Sequence, residues 1–357
     1  MQLVYALPGG SLDAPYATAL QRKRKRVHEN EPDLHVFVES ALKHLASLPL
    51  PPARAAPPVV DGTTDLGAAV AAATAAPRRR DGADGELEAG GDLALSDVSD
   101  RVVSSAAGAA FAVGAAPCAL PPRSATLLAA ADRWARPLLR RGRRYDVVTA
   151  DPPWPSRSAR RKGAYAAGWD AWRRPLRRFP LPRLASERGA VVAVWATNDA
   201  KVAEFVRRDL FPKWRVEYVA TWYWLKVTAS GAPVLPVDAA SERKPWEPLL
   251  VGVVNGRGEA RDRETLAGAA ARLEAGDAAA RDAWRGAGDS SGGPVALPGA
   301  LAFAAPPAAH SAKPRLDALF AACFGGAAAL DGLELFGRAA HEGWTTACDQ
   351  ALPLADG

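Results

Sequence analysis

Apolar runs that stop abruptly on a polar or glycine residue constrain this chain more than any other feature. Ala190–Ala196 is apolar throughout and ends on Thr197-Asn198, while Tyr145–Ala150 runs into Asp151-Pro152-Pro153-Trp154. Asp331–Phe336 ends on Gly337, and Leu249–Val254 and Arg215–Lys226 also read as strands. Strands apolar on both sides belong in a largely parallel sheet covered on both faces. Helical signals alternate with them: Pro182–Glu187, Asp199–Phe211 with Asp199 as its cap, and Lys313–Phe324. This alternation predicts an α/β fold, in which ligands bind beyond the carboxyl ends of the strands. Asp151, Asn198 and Gly337 all fall at such ends.

The remainder sorts by composition. Residues 1–50 read as a basic, helical N-terminal region. The spacing of Leu34, Phe37, Val38, Leu42 and Leu45 predicts a helix over Glu31–Leu48, with Pro32 in its first turn. Arg22–Arg26 resembles a nuclear import signal or a nucleic-acid arm, and a nuclear location is the expectation. Residues 51–117 are rich in Ala, Pro and Gly, and a poorly ordered linker is expected there. The strand and helix signals fill residues 118–351, with an Ala/Gly/charge-rich insertion at about 256–293. Hydrophobic residues make up 48% of the chain, enough for a sizeable core, and the net charge of +6 fits a polyanionic partner such as nucleic acid. Cys118, Cys323 and Cys348 lie far apart without C-x-x-C spacing. Neither a zinc site nor a disulfide framework is suggested, no metal is expected, and a reducing compartment is. No apolar run approaches the roughly 20 residues of a membrane span, and Met1–Gly10 lacks the layout of a secretory signal.

The turn after Ala150 carries the sharpest chemistry. Asp151 at a strand tip can accept a hydrogen bond from an exocyclic amino group. The Pro152 carbonyl can accept a second, in a turn that proline stiffens. Trp154 offers a face for stacking. Together these suit a planar base held by its amino edge, as methylation of an adenine amino group requires. Asp-Pro-Pro is also ordinary turn chemistry, and a tryptophan beside it equally suits a core. Arg157, Arg160, Arg161 and Lys162 follow at once. Arg173, Arg174, Arg177 and Arg178 come soon after, with Tyr165, Trp169 and Trp172 interleaved. Basic residues for phosphates and aromatics for bases suit a single strand; a solvated loop with structural aromatics is the other reading.

Several motifs then occur in one order. They are Asp151-Pro152-Pro153-Trp154, Trp195-Ala196-Thr197-Asn198, Trp222-Tyr223-Trp224-Leu225-Lys226, Lys244-Pro245-Trp246-Glu247, Ser311-Ala312-Lys313-Pro314 and Glu334-Leu335-Phe336-Gly337-Arg338. That order resembles the DPPW-type adenine N6-methyltransferases, the family of the mRNA adenosine methyltransferase subunit, and most nearly their methyltransferase-like-four branch. The likeness covers roughly residues 119–350. It implies a Rossmann-like S-adenosyl-L-methionine-dependent methyltransferase fold with a permuted motif order. It further implies N6-methylation of adenine in single-stranded RNA or DNA by a monomer away from membranes. Within the branch the target is 2′-O-methyladenosine in RNA such as U2 small nuclear RNA, with DNA adenine as the alternative.

The resemblance also implies roles. Asp151, Pro152, Pro153 and Trp154 would be catalytic. Asp132, Asp151, Lys313, Glu334, Phe336, Gly337, Arg338, Asp349 and Gln350 would face the cofactor, Lys313 pairing with its methionine carboxylate. Trp154, Arg157, Arg160, Arg161, Asn198, Trp224, Lys226, Lys244, Trp246 and Glu247 would face the nucleic acid. Ala312, Ala339 and Ala340 depart from the family by replacing polar side chains, and Cys348-Asp349-Gln350 replaces a Gly-Asn-Gln or Gly-Asn-Glu. The alanines after Arg338 are the support for a rival, a noncatalytic RNA-binding subunit. A protein-glutamine methyltransferase would carry Asn where Asp151 stands, and a nicotinamide enzyme would show G-x-G-x-x-G after a strand.

Overall fold

The strands follow one another as β1 (Val4–Ala6), β2 (Leu87–Glu88), β3 (Asp92–Leu93), β4 (Val102–Ser105), β5 (Ala109–Val113), β6 (Ala116–Leu120), β7 (Ser124–Leu128), β8 (Val147–Ala150), β9 (Ala190–Trp195), β10 (Glu217–Lys226), β11 (Trp246–Val254), β12 (Ala300–Ala305), β13 (Gly332–Leu335), β14 (Ala339–Ala340), β15 (Trp344–Cys348) and β16 (Leu354–Ala355). This computed structural model describes residues 4–6, 31–46, 86–113, 116–154, 169–238, 243–255, 297, 299–307, 313–324, 329–349 and 354–355. Among these, one large sheet has the order β1-β12-β10-β11-β9-β8-β13-β15-β7-β4-β2. The five neighbours β9, β8, β13, β15 and β7 are mutually parallel. No helix among the described residues is long and apolar enough to cross a membrane.

The apolar runs explain the centre of the sheet. Every residue of β8 and β9 is buried. Alternate side chains point to opposite faces of a strand, so each face needs its own cover. Val148, Val192 and Val194 join one core with Leu138, Leu181, Phe205, Leu210 and Trp214. Val147, Val191 and Ala193 join the other with Leu316, Leu319 and Phe320. At roughly 1.5–3 kcal/mol for each fully buried Val, Leu or Phe, these two layers fix the strands whose carboxyl ends carry the motifs.

The α/β expectation holds, with corrections to individual elements. β11 begins at Trp246, not Leu249, and runs antiparallel to both β9 and β10. The Asp331–Phe336 run forms β13, and β15 follows it and inserts between β13 and β7. The Asp199 helix is capped as expected, the Asp199 carboxylate accepting from the Lys201 N–H at 3.0 Å. It continues through a π-helical turn, Val206–Leu210, to Lys213. The Lys313 helix starts late, at Asp317. Proline disfavours the helical conformation for the residue before it, so Pro314 leaves Lys313 outside the helix.

The linker expectation fails for residues 86–113, which form β2 to β5; residues 51–85 lie outside the described residues. Val98, Val103, Phe111, Val113 and Leu120 bury together beside β7. Alanine and glycine between these few large side chains mask their pattern in the sequence. The predicted N-terminal helix forms over Glu31–Leu45, and Phe37, Val38, Ala41 and Leu45 pack on Leu225, Trp246 and the alanines of β12. The 256–293 insertion and the Arg22–Arg26 run lie outside the described residues.

β13 tolerates no side chain at its first position. A Cβ on Gly332 would press against the indole of Trp344, closer than real Cβ atoms approach. Overpacking of this kind costs about 1–3 kcal/mol. Gly332→Ala is expected to lower unfolding stability by that amount in urea melts; an unchanged midpoint would contradict the β13–β15 register.

Candidate active site

The site begins where β8 ends. The Asp151 N–H donates to the Leu335 carbonyl at 3.1 Å, so the first residue past the strand stays tied to β13. Pro152 has no N–H and the ladder stops. The buried Pro152 carbonyl accepts the Trp154 N–H at 2.7 Å, closing a three-residue turn. A carbonyl has two lone pairs, and among the described residues only one is taken. Trp154 does not offer the stacking face that its sequence position suggested. Its indole is 6% exposed, packs edge-on to Phe205 at 6.1 Å between ring centres, and donates Nε1–H to the Trp195 carbonyl at 2.7 Å. It braces the turn from within the core.

Because β11 is antiparallel, its first residues share a rim with the ends of β8, β9 and β10. Glu247 pairs across with Trp224, and Leu249 with Trp195. Along this rim runs a row of alternating charge. Lys226 Nζ stands 2.8 Å from Glu247 Oε2, Lys313 Nζ 2.8 Å from Glu247 Oε1, and Lys313 Nζ again 3.2 Å from Asp151 Oδ2. The Lys313 ammonium lies 5.4 Å from the centre of the Trp195 ring, and that of Lys226 4.8 Å from the Trp224 ring. Desolvation of a charge must be repaid by partners, and each member of the row has them.

The row treats its two carboxylates differently. Burial would raise Glu247, but Lys313 and Lys226 together outweigh it and hold the carboxyl below its usual range. Burial raises Asp151, and its one close ammonium, shared with Glu247, only partly offsets this. For Lys313, burial works against the charge, yet Asp151 and Glu247 push its pKa up to about 12. Asp151 is thus the less firmly held carboxylate of the two.

On the other side of Asp151 lie the ends of β13, β15 and β7. Phe336 has a left-handed backbone, φ 64°, and meets the Trp134 ring edge-on at 4.6 Å. Such a conformation in a bulky residue is strained and clusters at functional sites. Gly337 follows because a Cβ there would stand 2.6 Å from the Glu334 carboxyl carbon. Glu334 is partly buried, 3.8 Å from His341 Nε2. Burial pushes Asp349, just past β15, up to about 6. Asp132, past β7, and Arg338 are exposed. Ala339 and Ala340 form β14, which pairs with β16, and Ala340 is fully buried. Their small size matches that packing.

The structure therefore gathers Asp151, Lys226, Glu247 and Lys313, and beside them Glu334, Phe336, Gly337 and Asp349. Of the other expected substrate contacts, two tryptophans are buried and one lysine turns away from the row. Trp224 and Trp246 are each 1% exposed, and the Trp224 Nε1–H donates to the Ala305 carbonyl at 2.9 Å. Lys244 turns toward the N-terminal helix, 3.2 Å from His35 Nε2, and lies over the Trp246 ring. Asn198 is exposed and donates its Nδ2–H to the Trp246 carbonyl at 2.8 Å, stapling β9's end to the start of β11. Arg157, Arg160, Arg161 and Gln350 lie outside the described residues. Of the later arginines, Arg173 and Arg177 lie over Phe205 and Arg177 pairs with Asp209, and Arg174, Arg177 and Arg178 are exposed. Sequence reasoning gave no role to Trp195, whose carbonyl holds Trp154 and whose ring underlies Lys313. Its place at the end of a fully apolar strand, one residue before the rim, was the available signal.

The MT-A70 family model matches residues 145–269, which include Asp151, Lys226 and Glu247. The chain is 38% identical over 135 residues to the N(6)-adenine-specific methyltransferase METTL4 of Mus musculus, covering 38% of this chain and 27% of that protein. It is 40% identical over 137 residues to the N6-methyladenosine RNA methyltransferase MTA1 of Pyricularia oryzae, covering 37% and 36%. It is 35% identical over 107 residues to a DNA N6-methyl methyltransferase of Caenorhabditis elegans, covering 30% and 28%. The aligned part thus spans well under two thirds of each of these relatives.

The lowered pKa of Glu247 gives the row a definite pH dependence. A carboxyl lowered on folding contributes stability that is complete above its unfolded value and lost as pH falls through the folded one. Glu247→Gln is expected to flatten the loss of stability at and below the ordinary glutamate range. Lys313→Met is expected to destabilise more at pH 7 than at pH 4. The loss should fall short of the roughly 3–5 kcal/mol of a wholly orphaned buried charge, since Glu247 keeps Lys226. Denaturant melts across that range check both; equal losses at the two pH values would contradict the row.

Proposed function

From a chain that carries an MT-A70 family domain, we infer an S-adenosyl-L-methionine-dependent enzyme that methylates the exocyclic amino group of adenine in nucleic acid. The observation that carries this reading is the Asp151 carboxylate, fixed at a strand end between the Lys313 ammonium and the turn formed by Pro152. The residues present fit the cofactor. Lys313 has a third N–H donor beyond those facing Asp151 and Glu247, suited to a carboxylate. Glu334, Asp349 and Asp132 set acceptors at adjacent strand ends, suited to ribose hydroxyls and an adenine amino edge. The glycine at Gly337 lets the backbone come close beside Glu334. When bound, the cofactor supplies an electrophilic sulfonium methyl.

The rest is the work of the chain. The amino nitrogen of adenine is a weak nucleophile because its lone pair is delocalised into the ring. Asp151 accepts one of its N–H groups and the free lone pair of the Pro152 carbonyl the other. Both bonds favour a pyramidal nitrogen whose lone pair points out of the ring plane. Catalysis here is positioning and preorganised charge, and Asp151, the basic one of the two acceptors, would take up the proton lost from nitrogen after transfer. Trp154 serves indirectly, by locking the turn that aims both acceptors. Lys226 and Glu247 keep Lys313 in place.

For the substrate, the net charge of +6 and the arginines near the catalytic turn support a nucleic acid whose target base is single-stranded or flipped. We favour adenosine in RNA, with 2′-O-methyladenosine of a small nuclear RNA such as U2 as the specific candidate, and a nuclear setting suggested by Arg22–Arg26.

Methyl transfer from labelled S-adenosyl-L-methionine to three oligomers tests this: DNA with adenine, RNA with adenosine, and RNA with 2′-O-methyladenosine. Transfer is expected to the RNAs, best to the methylated one, and Asp151→Asn should lower turnover about 100-fold or more with the fold intact. Full turnover by Asp151→Asn would remove its role, and transfer to DNA alone would reverse the substrate assignment. Charge reversal at Arg160 and Arg161 should weaken oligomer binding and flatten its dependence on salt. An unchanged slope in a binding titration would take these arginines out of the interface.

A further inference from the structure

The turn that follows β7 is fastened from two sides by residues outside the charge row. Ala131–Arg133 forms a single 3-10 turn that carries the exposed Asp132. Arg133 Nη1 stands 3.2 Å from Asp100 Oδ2, and these side chains are only 21% and 16% exposed. Asp100 is itself tied to β7. Its N–H donates to the Leu128 carbonyl at 2.8 Å, and its neighbour Ser99 bridges to Leu128. It holds a left-handed backbone, φ 58°, a conformation that Asp, Asn and Gly tolerate better than other residues. Its other carboxylate oxygen, Oδ1, is buried and meets no hydrogen-bond partner among the described residues. A buried acceptor in that state costs stability. Its place is better explained by what the paired oxygen holds than by any gain to the fold.

The next residue, Trp134, grips the opposite side. Its Nε1–H donates to the Ala129 carbonyl at 2.8 Å, and its ring meets the left-handed Phe336. Ala129 in turn donates its N–H to the Cys348 carbonyl at 3.0 Å, the residue before Asp349. Two consecutive residues thus link the Asp132 turn to Asp100 on one side and to the Phe336-Gly337 turn on the other.

We propose that Asp100 and Arg133 are positioning residues that hold the Asp132 turn in register with the Phe336-Gly337 turn, and so shape the cofactor side of the site. The proposal rests on the methyltransferase reading above. It gives the residue 86–113 segment, expected from composition to be linker, a part in cofactor affinity.

Calorimetry with S-adenosyl-L-homocysteine, and steady-state kinetics on the RNA oligomer, test it in the full chain. Asp100→Gly keeps the left-handed backbone but removes the carboxylate. It should weaken binding roughly tenfold, about the loss of one charge-assisted hydrogen bond. KM for S-adenosyl-L-methionine should rise by the same factor, with kcat and the oligomer KM unchanged. Asp100→Asn keeps an acceptor and should recover most of the affinity. Wild-type binding with Asp100→Gly within about twofold of it overturns the proposal alone. So does a general fall in kcat, oligomer affinity and melting temperature together, which marks a merely structural residue. Failure of the wild type to bind overturns the methyltransferase reading and the proposal with it.

Discussion

The site depends on one shared ammonium. Lys313 reaches both Asp151 and Glu247, and it does so because Pro314 keeps it out of the helix that begins at Asp317. Glu247 arrives at the same rim only because β11 runs against its neighbours, bringing its first residues to where the other strands end. Lys226 closes the row from the end of β10. Four charges from four segments are thereby neutralised pairwise in a half-buried setting, where unpaired charge would be expensive. The arrangement leaves Asp151 as the carboxylate with the weakest hold on its charge and the freest oxygen, the condition for taking a new hydrogen bond.

The aromatic residues serve that geometry from inside. Trp154 and Trp224 each spend their one N–H on a backbone carbonyl at a strand end. Trp195 and Trp224 then present their rings to the two lysines. Burying large rings while placing their single donors is a stiff form of packing. It turns the motif tryptophans into struts for the polar rim above them.

What was legible in the sequence follows physical lines. Both-face burial leaves an unmistakable apolar run, so β8 and β9 and the polar residues past them could be read directly, as could the Asp199 cap and the amphipathic N-terminal helix. Tryptophan is ambiguous in principle, because the same ring suits a base or a core. From the sequence Trp154, Trp224 and Trp246 look like substrate contacts, and in the fold they lie buried. Alanine between sparse Val and Phe hid the strands of residues 86–113, and with them Asp100. Strand direction is not written locally, so nothing announced that β11 is antiparallel or that Glu247 would meet Lys313. The resemblance gives Lys313 a carboxylate partner, and in the structure it has two from the chain itself.

The most direct test of this account is the pH dependence of kcat/KM, which reports groups of the free enzyme, for the wild type and Glu247→Gln. Burial raises Asp151 and the Glu247 charge raises it further, and in the proposed mechanism its ionised form is the stronger acceptor and the form able to take up a proton. The wild-type acid limb should therefore lie above the ordinary aspartate range and move to lower pH in Glu247→Gln. Burial also pushes Asp349 up, to about 6, but a limb due to Asp349 would stay in place when Glu247 is changed. An acid limb that does not move would contradict the claim that Asp151 works as a member of the charge row.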